Sequence, residues 1–296
     1  MKKSQLITLV ILFVAVSIFI WVGACSEDTS NVPDPNSTIS VKVTSSGQTK
    51  VPTASPEPTA KPTPAPLTEA DFTMLNALSG EQLNVVLNRI TGKLANSETE
   101  LALQGYKYSD SIPGSDSKDI YISFMLHETY VNSGVERILD LAENENLKFS
   151  FFVSSAYIAN PENEETIRKI YNAGHTIGSR GLVEEGVEQH SLNAETLAEI
   201  FSAMNKRFAE IVGDDVRLQF YSPDTFSQRS FKLANLMGCT AVLRFDIFET
   251  DTGSRNVYNG VHYQAFGADD DLVEQLTSYV EWLKSEGYTF KAFKGE

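Results

Sequence analysis

Ile120-Tyr121-Ile122-Ser123-Phe124-Met125-Leu126-His127 opens a stretch that closes with Phe149-Ser150-Phe151-Phe152-Val153, and these two runs decide the fold. Each is short and apolar, and Gly134–Asn144 between them follows the spacing of an amphipathic helix. The same alternation continues to the C-terminus. Further strands are expected at His175–Ser179, Leu218–Ser222, Ala241–Phe245, Gly260–Phe266 and Thr289–Phe293. Helices are expected at Glu162–Ala173, Ala194–Ile211, Gln228–Met237 and Asp271–Ser285. Strand and helix in strict alternation is the pattern of a mainly parallel α/β sheet or barrel, whose ligands bind at the carboxyl ends of the strands.

Upstream, residues 67–117 read as a short helical lead-in. Thr68-Glu69-Ala70-Asp71 and Ser79-Gly80-Glu81-Gln82 both have the form of a capping box. The second predicts a helix with Leu83, Val86, Leu87 and Ile90 on one face, stopped at Gly92, and Ile112-Pro113-Gly114-Ser115 predicts a turn. Residues 26–66 are rich in Ser, Thr and Pro and hold eight of the chain's 11 prolines. Such a segment buries little apolar area and lacks ladder donors, so an extended solvated spacer is expected. Before it, Lys2-Lys3 precede an apolar run from Leu6 to Trp21, the pattern of a secretory signal or an anchor. Val22-Gly23-Ala24-Cys25 resembles a bacterial lipobox, which implies cleavage before Cys25, lipidation of its thiol and a membrane tether. The organisation expected is therefore 1–25 signal and lipobox, 26–66 linker, 67–117 lead-in and 118–296 α/β domain, with the body outside the cytoplasm.

Net charge is −15, from 24 basic and 39 acidic residues. Residues 67–296 alone carry 19 against 35. Nucleic acid is excluded as an expected partner, because its binding depends on a basic surface that neutralises phosphates. Two cysteines, Cys25 and Cys239, support neither a disulfide framework nor a Cys-rich zinc site.

The two opening runs, with Ala173-Gly174-His175-Thr176-Ile177-Gly178-Ser179-Arg180, Phe226–Gly238 and Val280–Phe290, resemble in order the polysaccharide deacetylase (NodB-homology, carbohydrate esterase family 4) domain. The ending is similar to the delta-lactam-forming, spore-cortex branch. The resemblance implies a distorted seven-stranded (β/α) barrel and metal-assisted removal of an N-acetyl group from an amino sugar. It also implies where the machinery would lie. The base Asp falls on Met125 and the metal Asp on Leu126, while the two metal His fall on Arg180 and Glu184. The Arg that orients the base falls on Phe220, and the acid His falls on Phe266. None of the six carries the residue that the pattern requires, and a thioether beside an isobutyl group offers a divalent ion neither oxygen nor imidazole. A pseudoenzyme with no metal is the expectation. A displaced site for one divalent ion such as zinc, from His127, Glu128 and Glu184, is the alternative.

Arg180, Glu184, Tyr221, Phe226 and Tyr263 are expected to border the old cleft, where aromatic faces suit sugar rings and envelope glycan is the candidate partner. Arg180, Glu184 and Glu185 would pair there with one another or bind a sugar or carboxylated ligand. Among the histidines, His175 is expected to be a satisfied core residue, His190 a solvated loop residue, and His262 to lie on a late strand.

Overall fold

A computed structural model describes residues 64–86, 94–109, 118–126, 132–213, 216–243, 246–247, 261–266, 268 and 270–294. The signal, lipobox, Cys25 and nearly all of the linker lie outside these residues, as do the predicted turn at Ile112, the pair His127 and Glu128, and Phe248–Gly260. No helix among the described residues is long and apolar enough to cross a membrane.

In chain order the lead-in contributes α1 (Glu69–Ala77), α2 (Ser97–Ala102) and β1 (Tyr108–Ser109). The body follows with β2 (Asp119–Leu126), α3 (Asn132–Asn144), β3 (Ser150–Ser154), α4 (Ser155–Ala159), α5 (Glu164–Asn172), β4 (Thr176–Gly181), α6 (Ala194–Val212), β5 (Phe220–Tyr221), α7 (Gln228–Leu236), β6 (Thr240–Val242), β7 (Asp246–Ile247), β8 (Val261–Phe266), α8 (Asp270–Ser285) and β9 (Thr289–Lys291). Local chemistry sets several boundaries. Thr68 and Asp71 form the capping box of α1, Asn193 Oδ1 accepts from Thr196 N at the start of α6, and Ser227 and Ser230 form the capping box of α7. Gly213, left-handed at φ 80°, ends α6.

One parallel sheet runs in the order β1-β6-β5-β4-β3-β2-β8-β7, with β9 also paired to β2. It curls into a half-barrel. Each of the seven expected runs overlaps an observed strand. The two-residue strands β1 and β7 extend the sheet beyond them, so the described residues hold nine strands rather than the seven that the resemblance implies. A two-residue pairing leaves no periodicity to read in sequence.

Side-chain alternation sorts the strands into an outer and an inner face. Ile120, Ile122, Phe124 and Leu126 of β2, with Phe151 and Val153 of β3, form a core with Val135 and Ile138 of α3, Ile167 and Ile170 of α5, and Leu276 and Val280 of α8. A second core joins Tyr221, Ala241 and Leu243 to Leu197 and Phe201 of α6, Phe231 of α7 and Leu75 of α1. The inner face holds a third group: Met125, Phe152, Phe220, Val242 and Phe293, with Tyr121 against them.

The second capping-box expectation is corrected. Ser79 accepts a hydrogen bond from Glu81 N at 3.1 Å, but Ser79–Val86 is not helical and Val86 is 48% exposed. Arg229 N donates to Ser79 O and Leu83 N to Phe226 O. Tertiary partners thus take the backbone groups that a helix would have satisfied internally.

Candidate functional site

The carboxyl ends of β2, β3, β4 and β5 define the position where this fold class places its chemistry. Inside, the half-barrel is packed with apolar side chains. Tyr121 stacks on Phe293 with centroids 5.2 Å apart, and Phe293 contacts Phe220 at 5.7 Å and Phe152 edge-on at 6.3 Å. Phe293 is pinned from the C-terminal segment, where its N–H donates to Ser150 Oγ at 3.1 Å and its carbonyl accepts from Thr176 Oγ1. Gly178 completes this packing by having no side chain. A Cβ there would lie 2.5 Å from Phe152 Cε1 and 3.2 Å from Phe220 Cβ.

Met125 and Phe220 therefore lie inside the half-barrel, 1% and 6% exposed. Leu126 does not. It follows Met125, points to the opposite face and is fully buried in the outer core, so it fills no part of the cleft. Phe266 is opposite Met125 in the β2–β8 register.

Arg180, at the end of β4, is 5% exposed and forms a two-pronged ion pair from Nη2 to Asp224 Oδ1 at 2.8 Å and Oδ2 at 3.0 Å. Asp224 lies on the β5–α7 loop and its side chain is 48% exposed. The expected pairing of Arg180 with Glu184 or Glu185 is thus corrected. Both glutamates are exposed on the β4–α6 loop, while the carboxylate holding the guanidinium comes from 44 residues downstream.

Gln189 fixes the β4–α6 loop beside Arg180. Its Nε2 donates to Arg180 O at 3.2 Å and Leu182 O at 3.1 Å, and its Oε1 accepts from Leu182 N at 3.2 Å and Tyr221 OH at 3.0 Å. Gly181 permits this approach. It is left-handed at φ +75°, and a Cβ would fall 1.8 Å from Gln189 Oε1. The neighbouring His190 is not a solvated loop residue as expected. Its side chain is 16% exposed, with Nδ1 3.2 Å from Thr225 Oγ1 and 3.6 Å from Glu188.

The expected aromatic cleft does not assemble. Tyr221 is fully buried and Phe226 is 6% exposed, and both pack in the core beneath α6 and α7. The reason is parity. Phe220 takes the inner face, so adjacent Tyr221 must take the outer one. Burial holds the Tyr221 hydroxyl far above its ordinary range and neutral. The side chains of Tyr263 and His262 lie outside what the structure describes.

His175 is the satisfied core histidine that the sequence suggests. Its Nδ1 accepts from Phe149 N at 3.1 Å, and its ring stacks on Phe149. Burial, aided by the charge of Lys148, lowers its pKa to about 4. Asp224, Thr225 and Gln189 escaped sequence reasoning because no spacing links them to Arg180.

No group of three or more His, Cys, Asp or Glu that could hold a metal occurs among the described residues. At the positions that the resemblance assigns to the metal ligands stand an isobutyl group, a guanidinium already engaged by a carboxylate and the exposed carboxylate of Glu184, a single oxygen-donor residue. That set does not fit a divalent ion.

Residues 114–242 match the family model of polysaccharide deacetylases. No curated protein matches the chain. Among solved structures, a family 4 carbohydrate esterase from Bacillus anthracis is similar at 21% identity and a TM-score of 0.58, covering 73% of this chain and 96% of that one. The family 4 carbohydrate esterase PdaA of Bacillus subtilis aligns at 18% identity and a TM-score of 0.60, covering 73% and 95%. A mutant of BA3943, a family 4 pseudoenzyme of Bacillus anthracis, aligns at 16% identity and a TM-score of 0.52, covering 59% and 65%. At these identities the structural likeness is one of fold. Together with the family match it gives the chain a polysaccharide-deacetylase-like (NodB, family 4 carbohydrate esterase) domain.

Proposed function

We propose that this polysaccharide-deacetylase-like domain belongs to a cell-envelope lipoprotein that has lost deacetylation and binds or scaffolds on envelope glycan. The observation that carries the reading is that Met125 and Phe220, where the resemblance puts a carboxylate base and its orienting arginine, are buried in the apolar packing of the inner face. A thioether and a phenyl ring neither take a proton nor orient a base. Arg180, engaged by Asp224, stands where a metal-binding histidine is implied, and a guanidinium has no lone pair to give a metal. No hydrolytic step is assigned to these residues.

The tether rests on the lipobox resemblance at Val22–Cys25 and the Pro-rich spacer behind it. The nearest class within the family is the delta-lactam-forming, spore-cortex branch, on the resemblance of Val280–Phe290 alone.

Acetate release from N-acetylglucosamine oligomers and peptidoglycan tests the loss of catalysis, with sedimentation on purified cell wall as the binding arm. The expected result is binding without acetate above background. Acetate release that scales with added divalent ion and disappears in His127→Ala would overturn the reading in favour of a rearranged hydrolase. Cys25→Ala should move the protein out of the membrane fraction, and unchanged partition would remove the lipid tether.

A further inference from the structure

The Pro-rich spacer enters the described residues at Pro64, which is half-buried against the turn before β6. Gly238 in that turn is left-handed at φ +78°, and a Cβ there would lie 3.0 Å from Pro64 Cγ. Just beyond it, Thr240 opens β6 and forms one wall of a groove of about 420 Å³ at the amino ends of β1 and β6. The facing wall is Glu100 of α2 with Gln104, Gly105, Tyr106 and Lys107 in the turn before β1.

Asn235 ties the two walls together. Its Oδ1 accepts from Lys107 N at 2.6 Å, and its Nδ2 donates to Lys107 O at 2.9 Å and to Cys239 O at 3.1 Å. The groove is therefore preformed, and Pro64 stands at its β6 side. Its open part is polar and backbone-rich. Glu100, Gln104 and Gly105 are exposed, and a Cβ on Gly105 would meet nothing within 4 Å. The Tyr106 ring adds no free face, since the Lys232 ammonium lies over it at 5.7 Å from the centroid.

Pro58-Thr59-Ala60-Lys61-Pro62-Thr63 directly precedes Pro64. At about 3.1 Å per residue such a run spans about 19 Å when extended, against a spacing of about 4.8 Å between neighbouring strands. A polyproline-type chain makes no internal hydrogen bonds, so its carbonyls need outside donors, and the exposed Gln104 amide supplies one. Being extended already, it loses little conformational entropy on docking. Lys61, its one charged residue, complements exposed Glu100 and a body in which residues 67–296 carry 35 acidic against 19 basic side chains. We propose that this groove is the docking site of the chain's own spacer, with Pro58–Thr63 laid as a strap across the amino ends of β6 and β1. The free spacer then stops short of Pro58, and its joint with the body is held instead of swivelling. The inference stands apart from both the glycan reading and the lipid tether.

The test is cross-linking of the detergent-solubilised full-length protein with a short bismaleimide. Ala60→Cys is combined either with Leu101→Cys, beside the groove and 72% exposed, or with Glu199→Cys, exposed on α6. Cys239 stays silent, because it is 1% exposed and burial pushes its thiol up to about 12. Each single variant reports any link through Cys25. A freely moving spacer reaches exposed positions at comparable effective concentrations, so a docked one should link position 60 to position 101 about tenfold faster than to position 199. Lys61→Glu should slow the first link and leave the second unchanged, with circular dichroism unaltered throughout. Comparable rates at the two positions would overturn the proposal, and so would a first rate that Lys61→Glu does not lower.

Discussion

Arg180 shows how one side chain can be legible in identity and unreadable in consequence. A guanidinium at the end of β4 suggests a partner in the nearby Glu184 or Glu185, yet the folded chain buries it and pairs it with Asp224. Asp224→Ala should destabilise the protein by about 1–3 kcal/mol, because charge-assisted hydrogen bonds to a buried cation are lost. Asp224→Asn, which keeps an acceptor, should cost less, and urea denaturation of both variants checks the order. His175 makes a prediction about pH. Its pKa falls from an ordinary 6.5 to about 4 on folding, so between those values the unfolded chain takes up a proton that the folded chain refuses. Stability from this group is complete above pH 6.5 and is lost as pH falls toward 4. At pH 5 the loss should be about 1–2 kcal/mol. His175→Gln retains an acceptor for Phe149 N without titrating, so its urea midpoint should change less between pH 7 and pH 5. An equal change in both proteins would assign the pH dependence to other groups.

Strand β4 is the element whose neighbours depend most on what it lacks. Its inner face passes Gly178 under Phe152 and Phe220, and its last residue, Gly181, lets Gln189 reach the strand. Gly178→Ala forces a Cβ to within 2.5 Å of an aromatic ring fixed by its own packing, so overpacking should cost about 1–3 kcal/mol. A lowered urea midpoint with unchanged circular dichroism is the expected outcome. A variant as stable as the parent would show that the inner face has slack. Long elements could be located from sequence because their periodicity extends over several turns. The helices expected at Ala194 and Gln228 start where the structure starts them, and the Thr68 capping box forms as drawn. Over Ser79–Val86, the described part of the second expected helix, no helix forms although the capping pattern is equally good. Phe226 and Arg229, distant in sequence, compete for its backbone groups.

At the scale of the molecule, the half-barrel holds together through packing on both faces of its sheet, and no described part of that packing asks for an ion. A chelator should leave the melting temperature of the purified protein within about 1 °C, whereas a fall of several degrees would reveal a bound cation that stabilises the folded state. The sequence by itself determined the fold class and the order of its strands and helices, because these follow from residue type and local period. Only the tertiary structure decided which face each side chain occupies: Met125 and Phe220 inside, Leu126 and Tyr221 outside. It alone joined Arg180 to Asp224 and placed Phe293 from the C-terminal segment against Tyr121. These contacts cross wide gaps in the chain, and no local pattern records a partner that only the curvature of the sheet brings near.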